Sequence, residues 1–375
     1  MKFKVSQVDF SEALSACEKS LFAKASLPIL SNILLSVEKN KLEILSTNLE
    51  TATKVSVPCK GGVDGKITLP GRVLTEFVSQ LSEGEIAVER LGEEIVVAAG
   101  GNSARLAKMP PEEFPAIPKI ESGREIRASA RDLADCIRKV EFCAASDEAR
   151  PVLSGVLISC EKKRISAVAT DGYRLSFMAT KAQEEMPALK IIVPAKNLRE
   201  VAKIIGENLG DPEKETVTMV VGDDLNQVNF RVANIEFTSR LIEGEFPAWQ
   251  KIIPNTFPTK IRISKSTLAR QVRIASIFAR DSGNIVKLKF EGKNLAISAT
   301  TSQVGAHEAQ VVLEAMEGAG GEIAFNFRYL LDALSVIDDE EVYFEMIESL
   351  APGRLTGAGG GSEFFHIIMP VRLQS

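Results

Sequence analysis

Histidine is nearly missing from this chain of 375 residues: there are two, His307 and His366, both in strand-like stretches. His307 lies two residues past Gly305 with Glu308 beside it, and reads as a surface strand residue. Imidazole chemistry therefore has little to draw on. The motifs HExxH, GxSxG and GxxxxGK[ST] are also absent, which removes support for metalloprotease, serine hydrolase and P-loop chemistry. The five cysteines (Cys17, Cys59, Cys136, Cys143, Cys160) form no CxxC pair and read as reduced core thiols, not a disulfide frame or zinc site. No metal, cofactor or catalytic residue is expected. No apolar run approaches the ~18 to 20 residues of a membrane span. The opening MKFKVSQVDF reads as a strand without an apolar signal region, so a cytoplasmic location away from membranes is expected. The glycine clusters GAGG (318–321) and GAGGGS (357–362) lack the lysine and helix of a phosphate cradle and read as loops beside strands.

What is present is repetition. KLEILSTNLETATKVSV (41–57), KRISAVATDGYRLSFMA (163–179) and NLAISATTSQVGAHEAQV (294–311) each run alternating strand, threonine (Thr47, Thr170, Thr300), polar turn, second strand. Ahead of each lies a strand, a break and an amphipathic helix, starting at Phe3, Ile126 and Ile261, roughly 120 to 135 residues apart. A second strand–helix unit follows in every third: KITLPGRVLTEFVSQL, KIIVPAKNLREVAKII and EIAFNFRYLLDALSVI. Phe10, Leu14, Cys17 and Leu21 fall on one helical face, as do Leu198, Val201, Ala202 and Ile205. Asp9 or Ser11 is the expected cap of the first helix, and Ser264 or Ser266 that of the fifth. The expectation is an α+β protein of three similar domains, 1–121, 122–257 and 258–375, each built from two strand–helix–strands units. The joins repeat as well: SARLAKMPPEEFPAIP (103–118) and TSRLIEGEFPAWQKIIP (238–254) share a Phe-Pro followed by an apolar connector.

Charge is distributed unevenly over these elements. The chain carries −5 overall, yet the expected helix 195–206 carries +2 and the helix 264–280 carries +4. Arg270, Arg273 and Arg280 fall on one stripe, and Lys196, Arg199 and Lys203 on another, opposite the apolar faces. Such stripes either solvate a helix or face a polyanion. Duplex DNA carries about one charge per ~1.7 Å of axis, so spaced cations hold it without reading its bases.

The order of motifs resembles the bacterial β sliding clamp family, the processivity subunit of DNA polymerase III, over essentially the whole length: MKFKV at the start, LPILSNILL (27–35), TNLE (47–50), RPVLSGVLI (150–158), ATDGYRLS (169–176), EGEFPAWQKIIP (243–254) and MPVRL (369–373). The resemblance implies the DNA-clamp fold, a head-to-tail homodimer closed as a six-domain ring, and a non-catalytic protein. The implied partners are double-stranded DNA held without sequence preference, the polymerase III catalytic subunit, the clamp loader and other clamp-binding replication and repair proteins. Lys24 and Arg72 match DNA-facing positions of the family, and the helix stripes add Lys196, Arg199, Lys203, Arg270 and Arg273. A pocket for partner peptides is implied at Leu153, Thr170, Gly172, Tyr173, Arg174, Leu175, Pro247, Ile252, Leu350, Met369, Pro370, Val371 and Arg372, with no counterpart where the first third meets the second. The implied dimer contact sets Ala104 and Leu106 against Ile277 and Phe278, which on pattern alone read as helix core.

Three positions depart from the family pattern. Tyr173 stands where many members carry histidine. Pro151 and Val152 stand where some carry DNA-touching tyrosines. Gln374 and Ser375 extend past the usual terminal leucine. A structural or ligand-binding repeat protein without DNA is the alternative, and it would need a convergent polar site of its own.

Overall fold

Alternating apolar residues write the strands, and the computed structural model forms them where that alternation runs. It describes residues 1–22, 27–117, 120, 122–147, 149–212, 214–301, 305–361 and 363–372, apart from the Gln183 side chain. Lys24, Gln374 and Ser375 lie outside the described residues. The alternating segments Lys41–Thr47, Thr216–Gly222 and Ile285–Glu291 each turn their apolar residues into the core.

Six α-helices lie among the described residues: α1 (Gln7–Glu18), α2 (Gly71–Ser79), α3 (Ala130–Arg138), α4 (Ala195–Asn208), α5 (Lys265–Ala279) and α6 (Phe327–Val336). Each falls on an expected strand–helix unit. Pro70 and Pro194 are the last residues of strands directly before α2 and α4. Ser264 caps α5, its side chain accepting from the Thr267 N–H. The first helix departs from expectation. It starts at Gln7, straight out of the strand, because the Gln7 N–H donates to the Gly84 carbonyl (2.8 Å) and its side-chain amide to that of Val78 (2.9 Å). It stops at Glu18, and the buried Ser20 hydroxyl just beyond pairs with Thr53 Oγ1 at 2.7 Å. Leu21 is therefore past the helix, while Phe10, Leu14 and Cys17 are fully buried. The third helix is likewise short: α3 ends at Arg138, and Glu141–Cys143 form a separate 3-10 turn.

The described strands make four sheets, all pairings antiparallel. One has five strands in the order Lys60–Val63, Lys2–Ser6, Glu85–Leu91, Glu94–Ala99, Asn102–Ala107. A second has eight: Gly123–Ser129, Thr216–Gly222, Gln227–Val232, Ile235–Arg240, Thr51–Pro58, Lys41–Thr47, Asn32–Glu38, Gly65–Pro70. A third has seven: Gly155–Thr170, Arg174–Pro194, Phe365–Ile368, Gly353–Gly357, Glu341–Met346, Thr259–Ser264, Ala315–Glu317. The fourth has Gly305–Val312, Asn294–Thr301, Ile285–Glu291 and Gly321–Asn326.

Two of these sheets draw strands from neighbouring thirds of the sequence. Ile235–Arg240 pairs with Thr51–Pro58, and Arg174–Pro194 pairs with Phe365–Ile368. The chain accordingly groups into two compact units, 1–131 with 200–241, and 132–199 with 242–375, so the middle third contributes to both. In the first unit α1 packs on α2; in the second α5 packs on α6. Residues 358–361 of the GAGGGS stretch follow the strand Gly353–Gly357, which pairs with Phe365–Ile368. Two of the stretch's glycines have a steric reason, since a Cβ on Gly357 or Gly359 would collide with the Asp339 carboxylate.

Candidate functional site

In the second unit a tight turn joins Gly155–Thr170 to Arg174–Pro194. The Thr170 hydroxyl donates to the Arg174 carbonyl (2.6 Å) and accepts from the Gly172 N–H (3.0 Å). Asp171 Oδ1 accepts from the N–H groups of Tyr173 (2.9 Å) and Arg174 (3.0 Å). Gly172 has φ +92, a conformation that other residues adopt only at a cost. The fold thereby holds Tyr173 out into solvent at 62% exposure and turns Leu175 fully inward.

Four further segments gather at this turn. Arg174 and Leu175 pair with Ile368 and Ile367, and the Met369 N–H donates to the Tyr173 carbonyl (2.9 Å), which places the 369–372 segment alongside. The Val371 N–H is held by the Ala324 carbonyl (2.8 Å). Gly353, three residues after Leu350, pairs with Ile368. The 3-10 turn Pro151–Ser154 carries the buried Leu153, and Arg150 donates to the Asp171 carbonyl (3.3 Å). The loop 243–254 packs Phe246, Trp249 and Ile253 onto the cluster of Val168, Leu175, Phe177, Ala179 and Ile367. Its Pro247 and Ile252 stay exposed. Exposed apolar side chains thus come from separate segments: Tyr173, Ile252, Leu350 and Met369. Pro370 and Val371 are half-buried and Arg372 is exposed. Aliphatic groups with an adaptable methionine suit an extended peptide bearing apolar side chains.

Arg174 is the polar base of this arrangement. Its Nε donates to Asp171 Oδ2 (3.1 Å), its Nη1 to Asp332 Oδ2 on α6 (2.5 Å) and its Nη2 to the Phe142 carbonyl (2.9 Å). The guanidinium lies over the Tyr329 ring (4.5 Å) and near that of Phe142 (5.5 Å). Burial works against its charge, but surrounding negative charge, the Asp332 and Asp171 carboxylates included, outweighs it and raises its pKa. Beneath, His366 is fully buried, its Nδ1 2.6 Å from Ser176 Oγ, with Cys143 Sγ 3.2 Å from the same hydroxyl. Burial first, then the Arg174 charge, lowers the His366 pKa to about 3, so this strand histidine is neutral. Asp171, Asp332, Tyr329 and Phe142 were not among the expected site residues. Asp332 is 158 positions from Arg174, beyond any local pattern.

At the first join the backbone of this turn recurs without the side chains of the implied pocket. Around Thr47–Thr51 the same bonds recur: Thr47 Oγ1 to the Thr51 carbonyl (2.8 Å), the Leu49 N–H to Thr47 Oγ1 (3.1 Å), and the N–H groups of Glu50 and Thr51 to Asn48 Oδ1 (3.0 and 2.7 Å). The Arg240 N–H meets the Glu50 carbonyl at 2.9 Å, as Met369 meets Tyr173. The backbone frame is repeated, and a cavity of about 440 Å³ adjoins it. Its side chains are not repeated: Leu49, Glu50, Ala52 and Arg240 stand where the other turn has Gly172, Tyr173, Leu175 and Met369. A cavity of about 860 Å³ nearby is lined by Leu34, Leu45 and Phe114, with Lys54 bridging Glu43 (3.4 Å) and Glu236 (3.2 Å).

The basic residues divide into two kinds. Arg72 on α2 and Arg270, Arg273 and Arg280 on or at the end of α5 are exposed, and no ion pair among the described residues holds them. Arg199 on α4 lies against Glu141 (Nε to both carboxylate oxygens at 3.1 Å), and Lys203 against Glu200 (2.9 Å). Lys196 is exposed on the same helix. Ala104 and Leu106 sit on Asn102–Ala107, an edge strand of the five-stranded sheet. Ile277 is 56% exposed on α5, so it is not the core residue that pattern alone suggests. Phe278 is half-buried and stacks on His307 (5.6 Å), which lies on Gly305–Val312, an edge strand of the four-stranded sheet.

Comparison with known proteins accounts for the repeated frame. Models of the DNA polymerase III beta subunit match the N-terminal domain over residues 1–118, the central domain over 128–248 and the C-terminal domain over 250–372. The beta sliding clamp of Staphylococcus epidermidis is 27% identical over 384 residues, covering 99% of each protein. The DNA polymerase III beta subunit of Thermotoga maritima superposes with a TM-score of 0.92 at 26% identity, covering 100% of both chains. The Pseudomonas aeruginosa sliding clamp, solved bound to griselimycin, does so with 0.93 at 26% identity, again covering 100% of both. Fold and repeat define a clamp-type α+β protein that works as a DNA sliding clamp. Within that class, the chain belongs to the bacterial DNA polymerase III beta subunit family.

Proposed function

We propose that two copies of this chain close head to tail around duplex DNA and tether a replicative polymerase to it, with no chemistry of their own. In this reading 1–121, 122–257 and 258–375 are three clamp domains, six to a ring, acting in the cytoplasm. The helices face the DNA through Arg72, Arg270 and Arg273, with Lys196, Arg199 and Lys203 beside them. The cations touch backbone phosphate, so binding carries no sequence preference. Asn102–Ala107 of one copy adds to Gly305–Val312 of the other, with Ala104 and Leu106 near Ile277 and Phe278, which removes two exposed sheet edges at once.

The peptide pocket runs from Leu153 through the Thr170–Leu175 turn to Pro247, Ile252, Leu350 and the 369–372 segment. It would serve in turn the polymerase III catalytic subunit, the clamp loader and other replication and repair proteins. Tethering then works through effective concentration. What supports the pocket is that Tyr173, Ile252, Leu350 and Met369 are all exposed, on segments that strand pairing, hydrogen bonds and the buried cluster bring to one turn. Griselimycin, which the Pseudomonas aeruginosa clamp binds, is a ready probe. Calorimetry should find it binding the wild-type dimer, and Met369→Ser or Leu350→Ser should weaken it by about ten-fold with an unchanged melting temperature. Unchanged affinity in both variants would reject the pocket.

A further inference from the structure

We propose that Asp332, on α6, is a positioning residue for the peptide pocket: it holds Arg174 so that the turn beneath Tyr173 keeps its shape. The proposal rests on the pocket reading above, and Asp332 is not among the residues that the family resemblance implies.

The argument follows one carboxylate to the next. Asp171 divides its two oxygens between two tasks. Oδ1 accepts the Tyr173 and Arg174 N–H groups and so shapes the turn, while Oδ2 is gripped by Arg174 Nε at 3.1 Å. Arg174 in turn is fixed from the far side by Asp332 Oδ2 at 2.5 Å and from below by the Phe142 carbonyl at 2.9 Å. Its plane rests on the Tyr329 ring, one α6 turn from Asp332. A guanidinium holds its donors in a rigid fork, so all three directions must be satisfied together. The turn then delivers two groups to the pocket rim: the exposed Tyr173 side chain, and the Tyr173 carbonyl that receives the Met369 N–H.

With Asp332 neutral, the Nη1 end of the fork loses its charged partner. The Arg174 side chain is largely buried and cannot replace that partner with bulk water without moving. Movement of Arg174 releases Asp171 Oδ2, and the turn loosens at Tyr173. The pocket rim is therefore set by where α6 sits, although α6 offers no side chain of the implied pocket. Coupling is reciprocal, so a ligand seated on Tyr173 and Met369 should steady α6.

The test uses the full-length dimer and two variants, Asp332→Asn and Asp332→Glu, with two readouts. Hydrogen exchange over 170–175 reports the turn, and calorimetric titration with griselimycin reports the pocket. The melting temperature and solution mass check the fold. Asp332→Asn should accelerate exchange at the Tyr173 and Arg174 amides and weaken griselimycin roughly three- to ten-fold, with the dimer kept and the protein still folded at the assay temperature. Asp332→Glu should recover most of both. In wild type, griselimycin should slow exchange across 327–336. Unchanged exchange in Asp332→Asn would overturn the proposal, and so would faster exchange with wild-type affinity. If wild type itself fails to bind griselimycin, the pocket reading falls and takes the proposal's function with it. The exchange arm would still show whether Asp332 holds the turn.

Discussion

Leu175 and Tyr173 are two positions apart, and a pocket list drawn from the family treats them alike. Structurally they are opposites, since Leu175 is fully buried in the cluster that Phe246 and Trp249 pack against, while Tyr173 points to solvent. Leu175→Ala should therefore cost about 2–4 kcal/mol of stability before any ligand is added, read as a lower denaturation midpoint. Tyr173→Ser should leave the midpoint within about 0.5 kcal/mol and act on ligand affinity alone. His366 supplies a pH prediction at the same scale. The unfolded histidine titrates near 6.5, and the folded one only near 3. As pH falls below 6.5 the unfolded state takes up a proton that the native state refuses, so stability drops from there towards pH 3, by at most about 1.4 kcal/mol per pH unit. His366→Gln should flatten the slope of unfolding free energy between pH 6 and 4. A wild-type slope in that variant would show that the histidine is not held neutral. The Asp-Gly turn at 171–172 was readable from sequence because its chemistry is local. The Arg174–Asp332 bond and the His366–Ser176 bond were not, because their partners meet only after the sheet has formed.

At the scale of elements, all six helices were legible from their 3.6-residue apolar spacing and the prolines before two of them. Their ends were not. Gln7 starts α1 through contacts with Val78 and Gly84, and Ser20 stands beyond its end paired with Thr53, all long-range. Charge stripes were legible too, but not which charges are already engaged. That difference grades the DNA contacts. In titrations with duplex DNA against salt, Arg270→Ala and Arg273→Ala should each lower the log–log slope by about 0.9. Arg199→Ala should lower it by less, since the Arg199 side chain already lies against Glu141. A wild-type slope in both Arg270→Ala and Arg273→Ala would contradict the assignment of α5 as a DNA-facing helix. Gly357→Ala tests the glycine loop in the same way: the added methyl meets Asp339, and a loss of about 1–3 kcal/mol in stability is expected by denaturant unfolding.

For the whole molecule, the threefold repeat was visible in the sequence, and what the repeats do with one another was not. Strand 51–58 finds its neighbour 180 residues away at 235–240, and 174–194 finds 365–368. No periodicity announces such pairings. They bind the thirds into two continuous sheets and bring the repeated turn, Thr47–Thr51 or Thr170–Arg174, to each join. One frame is polar, with Glu50 and Arg240; the other carries Tyr173 and Met369. The dimer belongs to this scale as well. Ile277→Arg, placed on an exposed apolar position of α5, should convert a particle of twice 40.7 kDa into one of 40.7 kDa by light scattering. The central claim is topological: the protein stays on DNA because it surrounds it. Loaded by a clamp loader onto nicked circular duplex, it should remain bound through gel filtration and be lost when a single cut linearises the circle. Equal retention, or equal loss, on circular and linear DNA would contradict the account.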